Sequence, residues 1–533
     1  MNTNYPYPSK RTVVYAKNGM VATSQPLAAQ AGLDILKKGG NAIDAAIAVA
    51  ATLTVVEPTS NGIGGDNFAL IWHNAQLHGL NSSGPAPSSI SISSLKKKGL
   101  VEMPRFGFTP VTVPGAVAGW AEMSKKFGKL SFKEVLEPAI NYARNGFAVS
   151  PTVAHYWRSA LHIYQKALKG EEYSHWFDTF LKNNHAPNEG DIWFFKDHAQ
   201  TIEDIANTLG ETFYHGAIAD KIDAFSKKFG GYIRKSDLEA YQPEWVEPIS
   251  VTYKGYNVWE IPPNGQGLVA LLALNIIEDF NFQEKEKLEV YHKQIEAMKL
   301  AFADGLEFIS DPISMKMSIK DLLTKDYAKS RAKLIAKEAK VRTFGKPNSS
   351  GTVYLATADQ YGNMVSMIQS NYMGFGSGLV VPGTGIALHN RGHNFSLDET
   401  KDNCLSPNKR PYHTIIPGFL TKGDKPVGPF GVMGGFMQPQ GHLQVVMNLV
   451  DFKMNPQSAL DAPRWQWMEG NHITVEPDVP KRIIHGLINK GHIVKIEPNL
   501  GSFGRGQIIM RDPKTGVYAG GTEKRTDGTI AAY

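Results

Sequence analysis

The sequence predicts a layered α/β protein in which helices pack against β-sheets. Three observations carry this prediction: two apolar helical segments lie near the N-terminal end, residues 115–330 have mostly helical patterns, and short strands dominate from Thr352 onward. No repeat with a period of about 20–50 residues is present in the sequence. We therefore expect a helix-rich part and a strand-rich part that together form the layers.

The first element is a pair of helices in PLAAQAGLDILKKGGNAIDAAIAVAATLTVVEP, residues 26–58. Ala, Leu and Ile recur at spacings of three and four, and Gly-Gly-Asn interrupts the pattern. The second helix is almost wholly apolar, so we expect it to be buried. The loop NGIGGDNF at 61–68 lacks the Lys-Ser/Thr of a P-loop and the spacing of a dinucleotide-binding loop. We interpret it as a packing loop before a strand, and LHGLNSSGPAPSS as the polar turn after that strand.

Residues 115–330 supply the other helices of the first part, with one β interlude, ISVTYKGYNVWEIPP. The predicted helices are GAVAGWAEMSKKFG, FKEVLEPAINYARNG, TIEDIANTLGETFYHGAIADKIDAFSKKFGG, GLVALLALNIIEDF and EKLEVYHKQIEAMKLAFADGLEF. In the second part, TVYLATADQYGNMVSMIQSN contains two alternating runs joined by Asp-Gln-Tyr-Gly-Asn, which predicts a β-hairpin. Further strands are predicted in TIIPGFLTKGD, PVGPFGVMGG, HIVKIEP and GQIIMRDPKTGVYAGG, and helices in HLQVVMNLVDF and PQSALDAPRW.

Composition excludes several classes of protein. The formal net charge is only +6 over 533 residues, with charges of both signs spread along the chain, which argues against a nucleic-acid partner. No stretch is apolar enough for a signal peptide or a membrane span, so we expect a cytoplasmic location and no membrane partner. The single cysteine, Cys404, excludes an intramolecular disulfide and a Cys-rich metal site. The 16 histidines show no HExxH or comparable spacing, so we expect neither a metal nor a cofactor.

The two parts meet at KPNSSGTVYLATADQYG, where Ser-Ser-Gly precedes Thr352. The residues alone leave two interpretations open: residues 347–351 form an ordinary turn, or the chain is cut between Gly351 and Thr352. A cut would free the α-amino group of Thr352, which titrates near neutrality and is the nearest base for the threonine hydroxyl. Gly351 suits such a cut because no Cβ shields its carbonyl.

Eleven blocks of the sequence, in order, resemble the γ-glutamyltranspeptidase family. They are GGNAIDAAIAVAATLTVVEPTSNGIGGDNF, VTVPGAVAGW, EPAINYARNGF, FYHGAIADKI, GGYIRKSDLEAY, YKGYNVWEIPP, EAMKLAFADGLEFISDP, TVYLATADQYGNMVS, FGSGLVVPGTGIALHN, PNKRPYHTIIP and DAPRW. The family's proenzymes cut themselves before a threonine. The resemblance therefore implies the N-terminal-nucleophile hydrolase fold, an αββα sandwich, with a helix-rich large subunit at residues 1–351 and a small catalytic subunit at residues 352–533.

The same resemblance implies four catalytic positions. Thr352 matches the nucleophile, and Ser370 matches a second hydroxyl, usually threonine, that hydrogen-bonds the nucleophile and assists maturation. Gly434 and Gly435, in GVMGGFMQPQG, match the glycine pair whose N–H groups form an oxyanion hole. Fixed backbone donors of this kind can supply several kcal/mol of transition-state stabilisation.

The resemblance is incomplete where the family binds the acyl donor. Ser83 and Gly84, in LNSSGPAP, stand where the family usually has an Arg-Glu pair that binds the glutamyl α-carboxylate. Asn394 replaces the aspartate that receives the α-ammonium group, and Arg391 replaces a glutamine or glutamate. These changes exchange anionic groups for neutral or cationic ones.

Further substrate-binding candidates follow from the same comparison. The family's Ser-Ser pair is His413-Thr414 here, and Asn371 or Tyr372 in QSNYMG would complete an amino-acid clamp. Arg391 or Arg105 would bind a carboxylate from a new direction, although each arginine fits an ordinary ion pair as well. Only ten residues, LDETKDNCLS, separate NFS from PNKRP, which implies a short lid like that of the family's acylase-like branch.

We therefore expect a self-processing threonine amidase that hydrolyses, or transfers, γ-glutamyl or related acyl groups from small-molecule amides such as glutathione. The alternative within enzymes is an acylase for glutaryl-like or other non-amino-acid amides. The alternative of another class is an uncleaved binding protein with the same fold. The expected partners are the substrate and the two subunits of one precursor, and a homo-oligomer is compatible with the sequence.

Overall fold

Two seven-stranded sheets form the centre of the molecule in a computed structural model that describes residues 10–341 and 351–533. The strands are β1 (Val14–Ala16), β2 (Gly19–Thr23), β3 (Asp66–His73), β4 (Gln76–Ser82), β5 (Phe147–Ala148), β6 (Ile192–Trp193), β7 (Glu244–Val246), β8 (Ile249–Tyr253), β9 (Tyr256–Glu260), β10 (Val353–Asp359), β11 (Met364–Ser370), β12 (Gly418–Lys422), β13 (Lys425–Met433), β14 (Trp465–Glu469), β15 (His472–Val475), β16 (Ile493–Ile496), β17 (Arg505–Arg511), β18 (Tyr518–Thr522) and β19 (Thr529–Ala532). Sheet A has the order β1-β18-β17-β13-β12-β9-β8, and sheet B has the order β19-β2-β10-β11-β3-β4-β7.

The helices cover the outer faces of the two sheets. They are α1 (Pro26–Lys37), α2 (Ala42–Val56), α3 (Ile92–Lys97), α4 (Ala116–Phe127), α5 (Phe132–Asn145), α6 (Pro151–Ala167), α7 (Ser174–Phe180), α8 (Lys196–Asn207), α9 (Glu211–Tyr214), α10 (Ala217–Lys228), α11 (Lys235–Glu239), α12 (Gly267–Ile277), α13 (Leu288–Phe308), α14 (Ile319–Leu322), α15 (Lys325–Ala332), α16 (Met437–Val450), α17 (Pro456–Asp461) and α18 (Lys481–Asn489). Within the described ranges, no helix has the length and apolar character needed to cross a membrane.

Three apolar cores lie between the layers. One joins the helical layer of α1, α2, α4 and α5 to sheet B, a second joins α12, α13 and α16 to sheet A, and a third fills the space between the two sheets. Strand β10 shows the arrangement most clearly, because Val353 and Leu355 belong to the first core while Tyr354 and Ala356 belong to the third. The predicted layered α/β arrangement is confirmed as an αββα sandwich.

The predicted pair of N-terminal helices is confirmed as α1 and α2. The turn between them contains Gly39 at φ +100°, a left-handed conformation that glycine adopts without strain. Asn41 caps α2 by accepting the N–H groups of Ile43 and Asp44, while the Asp44 carboxylate accepts the N–H of Asn41. Every residue of α2 is buried, as its uniformly apolar sequence predicted.

The predicted hairpin is also confirmed, as β10 and β11. The strands pair antiparallel from Val353 opposite Gln369 to Ala358 opposite Met364. The Asp359 carboxylate closes the turn by accepting the N–H groups of Tyr361 and Asn363. The polar turn predicted in residues 77–89 is wrong for its first part, because β4 continues to Ser82. Of the turn considered at 347–351, only Gly351 falls within the described residues.

Both sheets contain strands from both sides of Thr352. In sheet B, β10 lies between β2 and β11, and β11 lies beside β3; in sheet A, β12 lies between β13 and β9. The boundary expected at residues 351 and 352 therefore does not separate two independent cores. The boundary lies instead at one end of sheet B, where the interior strand β10 begins.

Candidate active site

The hydroxyls of Thr352 and Ser370 lie side by side at one end of sheet B. Thr352 immediately precedes β10 and Ser370 ends β11, so the hairpin register places the two residues opposite each other. Their Oγ atoms are 3.1 Å apart, and neither side chain is exposed. The structure thus brings together the two hydroxyl residues that the sequence analysis predicted.

Both hydroxyls contact the carbonyl group that precedes Thr352. The Thr352 Oγ1 hydroxyl donates to the Gly351 oxygen at 2.8 Å, and the Ser370 hydroxyl donates to the same oxygen at 2.9 Å. The Tyr372 N–H in turn donates to Ser370 Oγ at 2.7 Å. Gly351 and Thr352 are joined by a peptide bond, so this is the geometry of an uncut chain.

Gly434 and Gly435 form the turn between β13 and α16. Their φ angles are +137° and +57°, a region that disfavours side chains. Within the described residues neither N–H group has a hydrogen-bond acceptor, so both are available to a ligand. Strand β13 packs across the sandwich onto the hairpin, with the Tyr354 ring against Gly431 and the Ser366 hydroxyl 3.5 Å from the Phe430 oxygen. These contacts place the glycine turn and Thr352 at the same end of the facing strands.

A buried arginine supports the glycine turn from behind. A Cβ at Gly434 would lie 3.2 Å from the Cα of Gly504. Arg464, from the block DAPRW, donates to the carbonyl oxygens of Phe503 and Gly504 at 3.0 Å and pairs with Glu523 at 2.9 Å. The turn is therefore held by residues far away in sequence.

Gln266 connects the glycine turn to the predicted substrate-binding residues. Its Nε2 donates to the Gly435 oxygen at 2.8 Å and to the Thr414 oxygen at 2.6 Å. Its Oε1 accepts the Tyr412 hydroxyl at 3.1 Å. The sequence analysis missed Gln266 because a lone glutamine before an apolar helix carries no local signal.

Arg391 is the centre of a second buried cluster. Its Nη1 donates to Thr414 Oγ1 at 2.7 Å, its Nε lies 3.6 Å from Asp66 Oδ2, and its guanidinium group stacks on the Tyr372 ring at 4.5 Å. The Nη2 group has no hydrogen-bond partner among the described residues. Burial lowers the pKa of Arg391 to about 10, which still leaves it charged near neutral pH. The Nη2 group of the buried Arg391 guanidinium is thus available to donate a hydrogen bond to an anion.

Asp66 supplies the negative charge of this cluster. It lies in NGIGGDNF as the first residue of β3, and its Oδ2 also accepts His413 Nε2–H at 3.0 Å and contacts His389 at 3.2 Å. Burial alone would raise the pKa of Asp66, but these two histidines hold it well below the ordinary carboxylate value. Burial and the nearby Arg391 charge lower the pKa of His413 to about 3, so that ring is neutral. The Asp66 carboxylate is therefore the anion that lies beside the Arg391 guanidinium.

The loop that carries Asp66 was interpreted only as packing. Its glycines do allow close approach, since a Cβ at Gly65 would lie 2.6 Å from the Ser370 oxygen and one at Gly64 would lie 2.3 Å from the Ala387 oxygen. The interpretation missed the charge at its end. The sequence signal for a charged site was a lone aspartate next to glycines. Its arginine partner, Arg391, lies more than 300 residues away, so no local pattern links the two.

Both polar atoms of the Asn394 side chain make hydrogen bonds within the cluster. Its Oδ1 accepts the Tyr372 hydroxyl at 2.5 Å, and its Nδ2 donates to the Tyr412 oxygen at 2.9 Å. The structure therefore brings together five of the predicted substrate-binding residues: Tyr372, Arg391, Asn394, His413 and Thr414.

Among the described residues, the side chains of Asn371 and Arg105 make no hydrogen bond to those five residues. Asn371 faces the glycine-rich loop, where a Cβ at Gly62 would lie 2.9 Å from its Nδ2, and its amide atoms have no partner among the described residues. Arg105 stacks on Phe106 at 4.9 Å and reaches the cluster through its carbonyl oxygen, which accepts Asn390 Nδ2 at 3.0 Å. Ser83 donates its hydroxyl to Asn81 Oδ1 at 2.7 Å and makes no hydrogen bond to Arg391.

One group of side chains elsewhere has the composition of a metal site. His292 and Glu296 on α13 and His492 before β16 are buried, with ligand atoms within 4.8 Å of one another. The Glu296 carboxylate is paired with Lys299 at 2.7 Å, and the two imidazoles are hydrogen-bonded to each other at 3.0 Å. The ion pair already neutralises the only anion of the group, which disfavours a divalent cation.

Comparison with known proteins places these features in a common context. The family model described as Gamma-glutamyltranspeptidase matches residues 28–533. The glutathione hydrolase-like YwrD proenzyme of Bacillus subtilis is 37% identical over 96% of this chain and 97% of its own length. The oxamate amidohydrolase proenzyme of Klebsiella pneumoniae is 31% identical over 97% of this chain and 98% of its own. The crystal structure of cephalosporin acylase from Bacillus halodurans is 60% identical, covers 100% of this chain and 99% of its own, and superposes with a TM-score of 0.98.

Proposed function

The chain belongs to the gamma-glutamyltranspeptidase family of hydrolases with the N-terminal-nucleophile fold, and we propose that Thr352 is the nucleophile both of its own maturation and of amide hydrolysis. The observation that carries the proposal is the Gly351 oxygen, which accepts both the Thr352 and the Ser370 hydroxyl. Two positioned hydroxyls on one partly buried peptide carbonyl are more than a strand start requires. The names of similar proteins as proenzymes are in keeping with a maturation cut.

Maturation would begin with attack of Thr352 Oγ1 on the Gly351 carbonyl carbon. The C–N bond between Gly351 and Thr352 breaks, an ester forms between Gly351 and the Thr352 oxygen, and the hydroxyl proton is transferred to the Thr352 nitrogen. Water then hydrolyses the ester, which leaves a Gly351 carboxylate and restores the Thr352 hydroxyl. The Ser370 hydroxyl stabilises the charge that develops on the Gly351 oxygen, because it already donates to that atom.

Turnover uses the amino group that maturation releases. The amine takes the proton of Thr352 Oγ1 as the oxygen attacks the substrate amide, and it then protonates the leaving amine. The free N–H groups of Gly434 and Gly435 stabilise the tetrahedral oxyanion. Water hydrolyses the acyl ester, whereas an amino-acid acceptor in its place would give transfer.

The proposed substrates are γ-glutamyl and related acyl amides, with glutathione as the first example. A second candidate is an amide of glutaryl-like acids, and the Arg391 cluster favours it. An α-ammonium group near Arg391 would meet a cation and a neutral amide in Asn394. Asp66 already pairs with Arg391 and His413 through Oδ2, while its Oδ1 has no hydrogen-bond partner among the described residues. A carboxylate would instead accept from the free Nη2 of Arg391.

Hydrolysis of matched anilides by the cleaved protein tests this function. Thr352→Ala should remove activity toward γ-glutamyl, glutaryl and plain acyl anilides alike, whereas activity that survives would overturn the nucleophile assignment. A missing charge-assisted contact costs about 1.5–3 kcal/mol, so the glutaryl amide should exceed the γ-glutamyl amide by roughly one to two decades in kcat/KM. The reverse order would favour γ-glutamyl donors. Absence of both cleavage and hydrolysis would favour the binding-protein alternative.

The cytoplasmic location stays a prediction, which cell fractionation would test.

A further inference from the structure

Tyr372 has a backbone conformation that a large side chain rarely adopts. Its φ angle is +72°, in the left-handed region, and only 3% of the residue is exposed. This region is unfavourable for residues other than glycine because the Cβ approaches the backbone. A buried tyrosine in this conformation, two residues after Ser370, calls for a compensating set of contacts.

The conformation directs the Tyr372 N–H onto the Ser370 hydroxyl. The N–H donates to Ser370 Oγ at 2.7 Å. Since the hydroxyl accepts this bond, its single proton is directed to the Gly351 oxygen at 2.9 Å or to Thr352 Oγ1 at 3.1 Å. The backbone of residue 372 therefore restricts the Ser370 hydroxyl to donating toward one of these two atoms.

The Tyr372 side chain is held at both of its ends. Its hydroxyl donates to Asn394 Oδ1 at 2.5 Å, and its ring face carries the Arg391 guanidinium at 4.5 Å. Arg391 is itself fixed by Thr414 and Asp66. These contacts stabilise a residue whose backbone is strained, and they join the acyl-donor cluster to the hydroxyl pair.

We infer that Tyr372 is a positioning residue for self-cleavage: its left-handed backbone orients the Ser370 hydroxyl, and the Arg391 and Asn394 contacts keep the backbone left-handed. This inference rests on the proposed function, since it concerns the same hydroxyl pair. It differs from the substrate-binding role expected for Tyr372, because it acts before any substrate is present. A change in the acyl-donor cluster should therefore alter maturation.

Self-cleavage rates of three variants at position 372 test the inference. Tyr372→Phe keeps the ring and should cleave within about threefold of wild type, since it loses one hydrogen bond. Tyr372→Ala loses the anchors but retains the cost of a left-handed Cβ, so it should cleave roughly tenfold more slowly or worse. Tyr372→Gly loses the same side-chain contacts, but glycine adopts the left-handed backbone without the cost of a Cβ. It should therefore recover most of the wild-type rate of self-cleavage. Equal rates for Ala and Gly, or wild-type rates for both, would overturn the inference.

A double-variant comparison separates positioning from general stabilisation. If Tyr372 acts through the Ser370 hydroxyl, Tyr372→Ala should slow cleavage no further in a Ser370→Ala background. Full additivity of the two changes would contradict the inference. Leu209, at φ +50° between α8 and α9, is the matched control. Leu209→Ala and Leu209→Gly should cleave at the wild-type rate, and a difference between them would show that the Tyr372 series reports only backbone strain.

The outcome is distinguishable from failure of the proposed function. A wild-type chain that is never cut before Thr352 refutes the proposed function. A wild-type chain that is cut there, with Tyr372→Ala cut equally fast, refutes only the positioning role.

Discussion

At the scale of single residues, Ser370 is the hydroxyl that we propose assists Thr352. It donates to the Gly351 oxygen in the uncut chain and lies 3.1 Å from the Thr352 hydroxyl. Ser370→Ala should slow self-cleavage and turnover by about 10²-fold, as removal of a positioned proton-transfer partner does. Ser370→Thr should have a mild effect because it keeps the hydroxyl. Mass spectrometry over a time course measures the cut, and wild-type kinetics in the alanine variant would reject the role.

The buried Asp66 carboxylate leads to a prediction of how the stability of the fold depends on pH. Removing one partner of a buried ion pair costs about 3–5 kcal/mol, so Asp66→Asn, made in an uncleavable Thr352→Ala background, should lower the melting temperature at pH 7. The depressed pKa of Asp66 means that its charge stabilises the fold above the unfolded-state value near 3.9 and that this contribution is lost as the pH falls further.

The melting-temperature gap between the Asp66→Asn variant and its parent should therefore narrow as the pH is lowered below about 4. Asp424→Asn, at an exposed turn residue, is the control and should change little at either pH. A gap that widens in acid would show that Asp66 is not the anion of the pair.

At the scale of elements, the glycine turn between β13 and α16 separates the two reactions of the site. The Gly351 oxygen in the uncut chain is bonded to hydroxyls, whereas the N–H groups of Gly434 and Gly435 have no acceptor among the described residues. Gly434→Ala should therefore lower kcat by about 10²-fold or more and leave the rate of self-cleavage closer to wild type.

Gly423→Ala provides a matched control for Gly434→Ala. Gly423 also has a positive φ, +57°, and a Cβ there would have open space around it. This control should mature and turn over normally. Equal loss of maturation and turnover in Gly434→Ala would show that the glycine turn also serves the precursor.

The sequence predicted the elements whose signals are local. The β10–β11 hairpin has its strands and its turn within 18 residues, so the alternating pattern predicted it, whereas the meeting of Thr352 with Ser370 was expected from the family resemblance. The pairing of Asp66 with Arg391 and the bridge through Gln266 depend on residues that only the tertiary fold brings together. Short edge strands such as β1 and β19 were missed because three or four residues carry too little periodicity.

At the scale of the whole molecule, the two expected subunits share both sheets and the core between them. Strand β19 pairs with β2, and the Tyr533 oxygen accepts the N–H of Asn18. A cut before Thr352 therefore removes one peptide bond from a sandwich in which each sheet contains strands of both fragments. The cleaved protein should elute from size exclusion at the position of the uncleaved Thr352→Ala variant, and separation of the fragments without denaturant would contradict this prediction.

The central claim is that Thr352 cuts the chain before itself, and denaturing mass spectrometry with N-terminal sequencing tests it most directly. Purified wild-type protein should give two fragments, one ending at Gly351 and the other beginning at Thr352, while Thr352→Ala should remain a single chain of 533 residues. A smaller fragment that begins at another residue, or a Thr352→Ala chain that is cut at the same place, would contradict the account.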